Sequence, residues 1–220
     1  MKNILIQLDF DGTVTCEDQA YTILDAYAPG LWRQHLEDYR QERITVGEFN
    51  RRAFALVHEN EAKLVEFVLR HARLRRGFKE FVEFCHQTGL KCAIISNGLD
   101  FYINTILQDA GITGVEVRAA RTRFTPEGIR VSYPGPDGEE LESGFKEAYV
   151  RYFLAQGYRI IYVGNGWSDI FAARLAEYIF ACDDLLSLAG EEGLPVEPFG
   201  DFNDVRKGLE RLMKALAFES

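Results

Sequence analysis

The residues whose types and spacing could do chemistry begin at Asp9-Phe10-Asp11-Gly12-Thr13. Two carboxylates stand one residue apart, directly after the run Ile4-Leu5-Ile6-Gln7-Leu8. That run reads as a buried strand, rich in branched aliphatic residues and without helical spacing of polar sites. Gly12 lets the chain turn sharply just beyond it. The carboxyl end of a buried strand is where open α/β sheets bind ligands. A carboxylate there can attack phosphorus and form an aspartyl-phosphate. Attack on a phosphate dianion needs neutralising charge, usually Mg²⁺ with oxygen ligands. A second carboxyl can protonate the leaving oxygen and then activate water. Asp-x-Asp alone fits a solvated surface turn equally well, so the rest of the chain must decide.

Two more polar, glycine-containing turns follow buried strands. A strand over 91–96 runs into Ser96-Asn97-Gly98, and one over 159–163 runs into Gly164-Asn165-Gly166-Trp167-Ser168-Asp169. Helices are predicted over 77–88, 100–110, 144–156 and 170–176, with further strands over 115–120 and 178–181 and a last helix over 205–216. Strands alternating with helices imply a parallel sheet with right-handed crossovers, so the three turns share one edge. The expected fold class is α/β, a Rossmann-like doubly wound parallel sheet. Residues 16–76 break the alternation with four helical segments and no strand. The third of these opens on Thr45-Val46-Gly47-Glu48, a capping-box spacing. The expected division is a core of residues 1–15 and 77–220 and a helical cap of residues 16–76. Turn signals around Pro126-Glu127-Gly128 predict a surface β-hairpin over 124–133.

The chain has 220 residues, 47% hydrophobic and 27% charged, which suits a globular protein with a sizeable core. Its formal net charge of −9 disfavours non-specific nucleic-acid or anionic-membrane binding. An anionic substrate therefore needs a local positive site, either lysine, arginine or a metal. Cys16, Cys85, Cys92 and Cys182 lack zinc spacing and read as reduced thiols of a cytosolic protein. The chain enters its first strand after a single lysine, so no signal peptide is expected, and no apolar run approaches membrane-spanning length. His35, His58, His71 and His86 show no ligand spacing. Arg73, Arg75 and Arg76 read as a solvated junction, and Phe78, Phe81 and Phe84 as core packing at helical spacing.

The ordered set of Asp9-Phe10-Asp11-Gly12-Thr13, Ser96 at a strand end, Lys146 and Gly164-x-Gly166-x-x-Asp169 resembles the haloacid dehalogenase superfamily of phosphohydrolases. The insert after the first motif is similar to the C1 cap of its phosphoserine-phosphatase-like branch. Within that branch, Asp9 to Asp18, Arg76 to Val82, Ile95 to Phe101 and Pro198 to Val205 look most like the methionine-salvage phosphatases. The resemblance covers nearly the whole chain. It implies that Asp9 is the nucleophile and a Mg²⁺ ligand. Asp11 is implied as general acid and base, with its carbonyl on the metal. Ser96 and the amide of Asn97 would bind phosphoryl oxygens, with Gly98 in the same turn. Lys146 would stabilise the phosphoaspartate, and Asp169 would complete the metal site. Read without the family, Ser96 is a helix cap, Lys146 a solvated helix residue and Asp169 first-turn charge. The implied partner is a small-molecule phosphate ester, with no nucleic acid and no membrane, acted on by a cytoplasmic monomer or homodimer.

One position departs from the family. Residue 165, usually an aspartate that binds the metal, is Asn165. An amide oxygen still ligates a hard cation but brings no charge, so weaker Mg²⁺ binding is expected. Alternatives are deamidation at Asn165-Gly166, or reduced activity. Substrate choice is expected to lie in the insert. Asp18 falls where the serine-phosphate branch reads an amine, but that branch's cap arginine aligns with Ala53 rather than Arg51 or Arg52. This counts against an amino-acid phosphate. Tyr21, Tyr27, Trp32 and Phe49 either line an apolar pocket or pack the insert, with packing favoured. A broad phosphomonoesterase and a non-catalytic phosphate-binding protein on the same fold remain open alternatives, as does a phosphomutase.

Overall fold

Five residues buried on every side, Ile4–Leu8, form strand β1, and the sheet is built outward from it. The computed structural model describes residues 3–218, with side chains through residue 215. Beside β1 lie β2 (Lys91–Leu99), β3 (Glu116–Thr125), β4 (Gly128–Ser132), β5 (Arg159–Gly164), β6 (Tyr178–Ala181) and β7 (Val196–Pro198). Their order is β4-β3-β2-β1-β5-β6-β7, parallel throughout except for β4, which pairs antiparallel with β3. The chain winds out from β1 through β2 and β3, then crosses back to β5 on the other side. The reversal falls at β1, and a reversal of this kind opens a crevice at the carboxyl ends of the strands. The register sets Leu8 opposite both Ile94 and Val163, so the three polar segments converge there; Ser96-Asn97-Gly98 is not a turn beyond β2 but an irregularity within it, the register shifting between Ser96 and Leu99.

Between β1 and β2 the chain forms helices α1 (Gln19–Tyr27), α2 (Arg33–Arg40), α3 (Val46–Phe54) and α4 (Glu61–His71), followed by α5 (Phe78–Thr88). Side chains cap three of these starts: Asp18 accepts from the Tyr21 amide at 2.8 Å, Thr45 from Glu48 at 3.1 Å and Asn60 from Lys63 at 3.0 Å. Each such cap is worth about 1 kcal/mol. Trp32 stacks on Tyr21 with ring centroids 5.0 Å apart and tilts against Phe49 at 6.3 Å, while Tyr27 meets Phe67 edge-on at 5.1 Å. With Trp32 and Phe49 almost wholly buried, these aromatics are the packing of the helices themselves.

The two ends of this excursion lie side by side. Thr15 and Leu74 form an antiparallel bridge, Cys16 donates to the Arg73 carbonyl at 2.9 Å, and Arg75 donates to Val14 at 2.8 Å. Arg75 is not a solvated junction residue. It is half-buried, and its guanidinium donates to the carbonyls of Gly12 at 2.5 Å, Thr13 at 2.8 Å and Gly200 at 3.1 Å. The 124–133 hairpin forms, with β3 and β4 paired antiparallel, but it is not a surface hairpin. β3 runs unbroken to Thr125, and Ile129, Val131 and Tyr133 are buried because α3 packs onto β4. A Cβ at Gly128 would lie 2.2 Å from the Ala55 carbonyl.

Past β2 come α6 (Asp100–Asp109), α7 (Phe145–Ala155), α8 (Ile170–Ala173), α9 (Asp183–Glu191) and α10 (Phe202–Phe218). α9 and β7 have no counterpart in the sequence reading. Phe202 of α10 sits 4.8 Å from the Phe78 ring and 5.0 Å from that of Phe81, as the aromatic spacing of α5 leads one to expect. Among the described residues, no helix is long and apolar enough to cross a membrane.

Candidate active site

Asp9 follows β1 directly, and its amide extends the ladder by donating to the Val163 carbonyl at 2.9 Å. Its Oδ1 lies 2.8 Å from Lys146 Nζ, while Oδ2 meets no donor among the described residues. Lys146 is only 2% exposed. It opens α7, and the buried amide of Gln7 in β1 donates to its carbonyl at 3.1 Å. The ammonium also lies 2.6 Å from Asp169 Oδ1. Asp169, wholly buried, accepts four hydrogen bonds. Lys146 and the Tyr162 hydroxyl, each at 2.6 Å, share Oδ1, and the amides of Asn165 at 3.0 Å and Gly166 at 2.8 Å share Oδ2.

Asp11 lies one turn on. Its Oδ1 accepts from the Gln19 amide at 2.9 Å and its Oδ2 from the Tyr102 hydroxyl at 2.5 Å. Gly98 makes room for this pair, since a Cβ there would meet the Tyr102 oxygen at 2.1 Å and Asp11 Oδ2 at 2.3 Å. Ser96 is buried, and its hydroxyl oxygen accepts from the Gly98 amide at 3.0 Å. Gly12 takes φ +73°, where a Cβ would strike Asn165 Nδ2 at 2.2 Å. Across that gap Thr13 donates its hydroxyl proton to Asn165 Oδ1 at 3.1 Å.

Negative charge is in excess in this crevice. Burial, then repulsion from Asp169, pushes Asp9 up to about 7, against the pull of Lys146. Burial and the neighbouring Asp18 push Asp11 up to about 8. Burial lifts Asp18 to about 6 although the Tyr21 amide opposes it. Lys146 loses solvation too, but Asp169 and Asp9 more than compensate and hold its ammonium well above the ordinary range. One buried cation therefore faces Asp9, Asp11, Asp18 and Asp169.

A family model described as haloacid dehalogenase-like hydrolase matches residues 6–174, which takes in all of these groups. The chain belongs to the haloacid dehalogenase-like hydrolases. The 2-hydroxy-3-keto-5-methylthiopentenyl-1-phosphate phosphatase of Geobacillus kaustophilus (strain HTA426) is 32% identical over 216 residues, covering 96% of this chain and 97% of its own. The protein of the same name from Geobacillus thermodenitrificans (strain NG80-2) is 33% identical over 216 residues, with the same 96% and 97% coverage. A solved phospho-aspartyl intermediate analogue of phosphoserine phosphatase superposes with a TM-score of 0.72 at 17% identity, covering 94% of this chain and 99% of that one. At that identity the likeness speaks for the fold. This haloacid dehalogenase-like hydrolase is a phosphoric monoester hydrolase.

The family implies a divalent cation, and the donor set can be tested against one. Neither Asp9 Oδ2 nor the Asp11 carbonyl accepts a hydrogen bond among the described residues. Asn165 Oδ1 faces the same side through Thr13. Among the described residues, no group of three His, Cys, Asp or Glu side chains could hold an ion by itself. The set is one carboxylate, one main-chain carbonyl and one amide. All are hard oxygens, as Mg²⁺ takes, with one charge fewer than an aspartate at 165 would give. Asp169, expected among the ligands, has both oxygens taken by four donors, so the geometry makes it the residue that holds Lys146.

The structure thus brings Asp9, Asp11, Ser96, Asn97, Gly98, Lys146, Asn165 and Asp169 to one crevice. Asp18 lies beside Asp11, but one of its oxygens caps α1. Tyr102, Tyr162, Gln19 and Gln7 support the site and carry no role in the sequence reading. For Gln7 and Tyr162 the signal is a polar group inside an otherwise apolar strand, which must find a partner when buried. Tyr39 of α2 reaches toward the crevice from the insert, close enough for burial and the charges of Lys146, Asp169 and Asp9 to act on its hydroxyl.

Proposed function

We propose that the protein is a Mg²⁺-dependent phosphatase acting through an aspartyl-phosphate, with 2-hydroxy-3-keto-5-methylthiopentenyl-1-phosphate as its substrate. The observation that carries the chemistry is the state of Asp9. One oxygen is gripped by Lys146, and the other is free and faces the crevice where Asp11 and Ser96 converge.

In the first step Asp9 Oδ2 attacks phosphorus and the bond to the leaving oxygen breaks. Asp11, held by Tyr102 and Gln19 and carrying a proton at neutral pH, gives it to that oxygen. In the second step water attacks the phosphoaspartate, Asp11 takes a water proton, and Asp9 is regenerated as orthophosphate leaves. Lys146 neutralises charge on Asp9 and the transferring group, and Asp169 and Tyr162 fix where its ammonium sits. Ser96 Oγ and the Asn97 amide bind phosphoryl oxygens. Asp9 Oδ2, the Asp11 carbonyl and Asn165 Oδ1 would hold Mg²⁺, which when bound supplies the positive charge the crevice lacks.

The substrate assignment is supported by relatives of that name that match over 96% of this chain. It is supported also by what the insert offers. Asp18 is committed to a helix cap, Ala53 is wholly buried, and Arg51 and Arg52 pair with Glu48. Neither Arg51 nor Arg52 is thereby left free for an amino-acid carboxylate, and Tyr21 and Tyr39 suit an uncharged tail. The test is kcat/KM on the enol phosphate, phosphoserine and p-nitrophenyl phosphate, with and without Mg²⁺, for the wild type and Asp9→Asn. The enol phosphate should lead, Asp9→Asn should be inactive, and chelation should abolish turnover. Preference for phosphoserine would overturn the substrate, and metal-independent turnover the mechanism.

A further inference from the structure

The Ser96 segment, where the register of β2 shifts, is gripped at both ends of a single peptide plane. At the nitrogen end, the Gly98 N–H donates to Ser96 Oγ at 3.0 Å in a buried hydrogen bond. At the oxygen end, the Asn97 carbonyl accepts from Asn50 Nδ2 at 2.9 Å and from the Tyr133 hydroxyl, also at 2.9 Å. Asn50 Nδ2 lies 2.7 Å from that hydroxyl as well, so the three groups close a triangle. Asn50 belongs to α3 of the insert and is 4% exposed; Tyr133 follows β4 and is 2% exposed. Each comes from a segment remote in sequence from the peptide it holds, 47 residues away for Asn50 and 36 for Tyr133.

A peptide unit is planar and resists twisting, so fixing its oxygen fixes the direction of its N–H. Two donors fill both lone pairs of the Asn97 carbonyl, which leaves the plane no freedom to tilt. The N–H then occupies one lone pair of Ser96 Oγ, and the hydroxyl proton is left for an acceptor in the crevice. We infer that Asn50 and Tyr133 are positioning residues for Ser96, setting its hydroxyl through the Asn97–Gly98 peptide. Asn50 rides on the insert, so Ser96 is set only while α3 is seated on the β3–β4 hairpin. This inference rests on the reading of Ser96 as a phosphoryl-binding group.

A contact that merely glues the insert to the sheet would lower stability without acting through Ser96. A double-mutant cycle separates the two. Orthophosphate affinity in Mg²⁺ buffer, by calorimetry, and kcat/KM on p-nitrophenyl phosphate are measured for the wild type, Tyr133→Phe, Ser96→Ala and the double variant. Tyr133→Phe should weaken both by roughly five- to tenfold, the scale of one lost hydrogen bond, but by less than twofold on top of Ser96→Ala. Asn50→Ala should repeat the pattern and stands in if Tyr133→Phe folds poorly. Equal effects in both backgrounds, or a fall in melting temperature with phosphate affinity unchanged, would overturn the inference. If the wild type binds orthophosphate with this coupling but hydrolyses no ester, the phosphatase reading falls and the positioning role stands. If it binds no orthophosphate, both fall.

Discussion

Asp169→Asn is the substitution whose cost can be worked most fully from the geometry. Asp169 has no solvent exposure and accepts two donors on each oxygen. Asparagine offers one acceptor and one donor in the same volume. With its oxygen toward Lys146 and Tyr162, its NH₂ confronts the amides of Asn165 and Gly166, and two buried donors lose their acceptor. Turned the other way, the NH₂ faces an ammonium. Buried donors left unpaired cost about 1–3 kcal/mol each, and breaking a buried ion pair from one side costs about 3–5 kcal/mol. One gain offsets this: repulsion from Asp169, second only to burial in raising Asp9, disappears. It does not re-pair the two amides, so a net loss of about 4 kcal/mol is expected. Tyr162→Phe removes one hydroxyl from Oδ1 and should cost about 1 kcal/mol. Urea unfolding with unchanged m-values gives both numbers. In the same preparations kcat should fall about a hundredfold for Asp169→Asn, because the ammonium loses its anchor. A stability loss below about 1 kcal/mol, or an unchanged kcat, would refute the idea that Asp169 exists to hold Lys146.

Asn165→Asp should tighten Mg²⁺ binding by adding a charged oxygen ligand, seen by calorimetry; equal or weaker affinity would count against Asn165 as a ligand. In metal-free protein, Asp9, Asp11 and Asp18 carry folded-state values of about 7, about 8 and about 6, above the unfolded value of 3.8. The folded state therefore binds more protons across that window. Stability present below about pH 4 should be lost as pH rises toward 8, and Mg²⁺ at pH 8 should restore it. Melting temperatures at pH 5 and pH 8, with and without Mg²⁺, check the sign. Gly98→Ala should displace Tyr102 or Asp11 and lower kcat more than it raises KM, whereas full activity would show that the site tolerates a shifted Asp11.

Much of this is legible in the sequence because it is local. β1, β2 and β5 open as short apolar runs that lead into polar, glycine-containing segments, and their sharing one edge follows from strand–helix alternation alone. Helix starts at Thr45 and stops at Gly89 carry their signals in a few residues. α9 escapes because it buries only Leu185 and Ala189, too thin a stripe to announce a helix, and β7 is three residues at a sheet edge. The supporting shell of the site is hidden for another reason. Tyr102 reaches Asp11 across 91 residues and Tyr133 reaches Asn50 across 83, pairings that no local pattern encodes. Arg75 reads as surface charge because its three acceptors are backbone carbonyls, which leave no trace in residue type.

The bridge between Thr15 and Leu74 has a consequence for how this scaffold can change. A long excursion that leaves and returns at one point is, for the sheet, only a closed loop. The entropy of closing such a loop grows with the logarithm of its length, each doubling adding only about 0.6 kcal/mol. Helices can therefore be lengthened, shortened or replaced between these two residues at little cost to the strands below. What they cannot lose is whatever seats them: the Arg75 carbonyl clasp, and the amide that α3 lowers onto Asn97. New ester preferences can be tried above a reaction centre that stays the same.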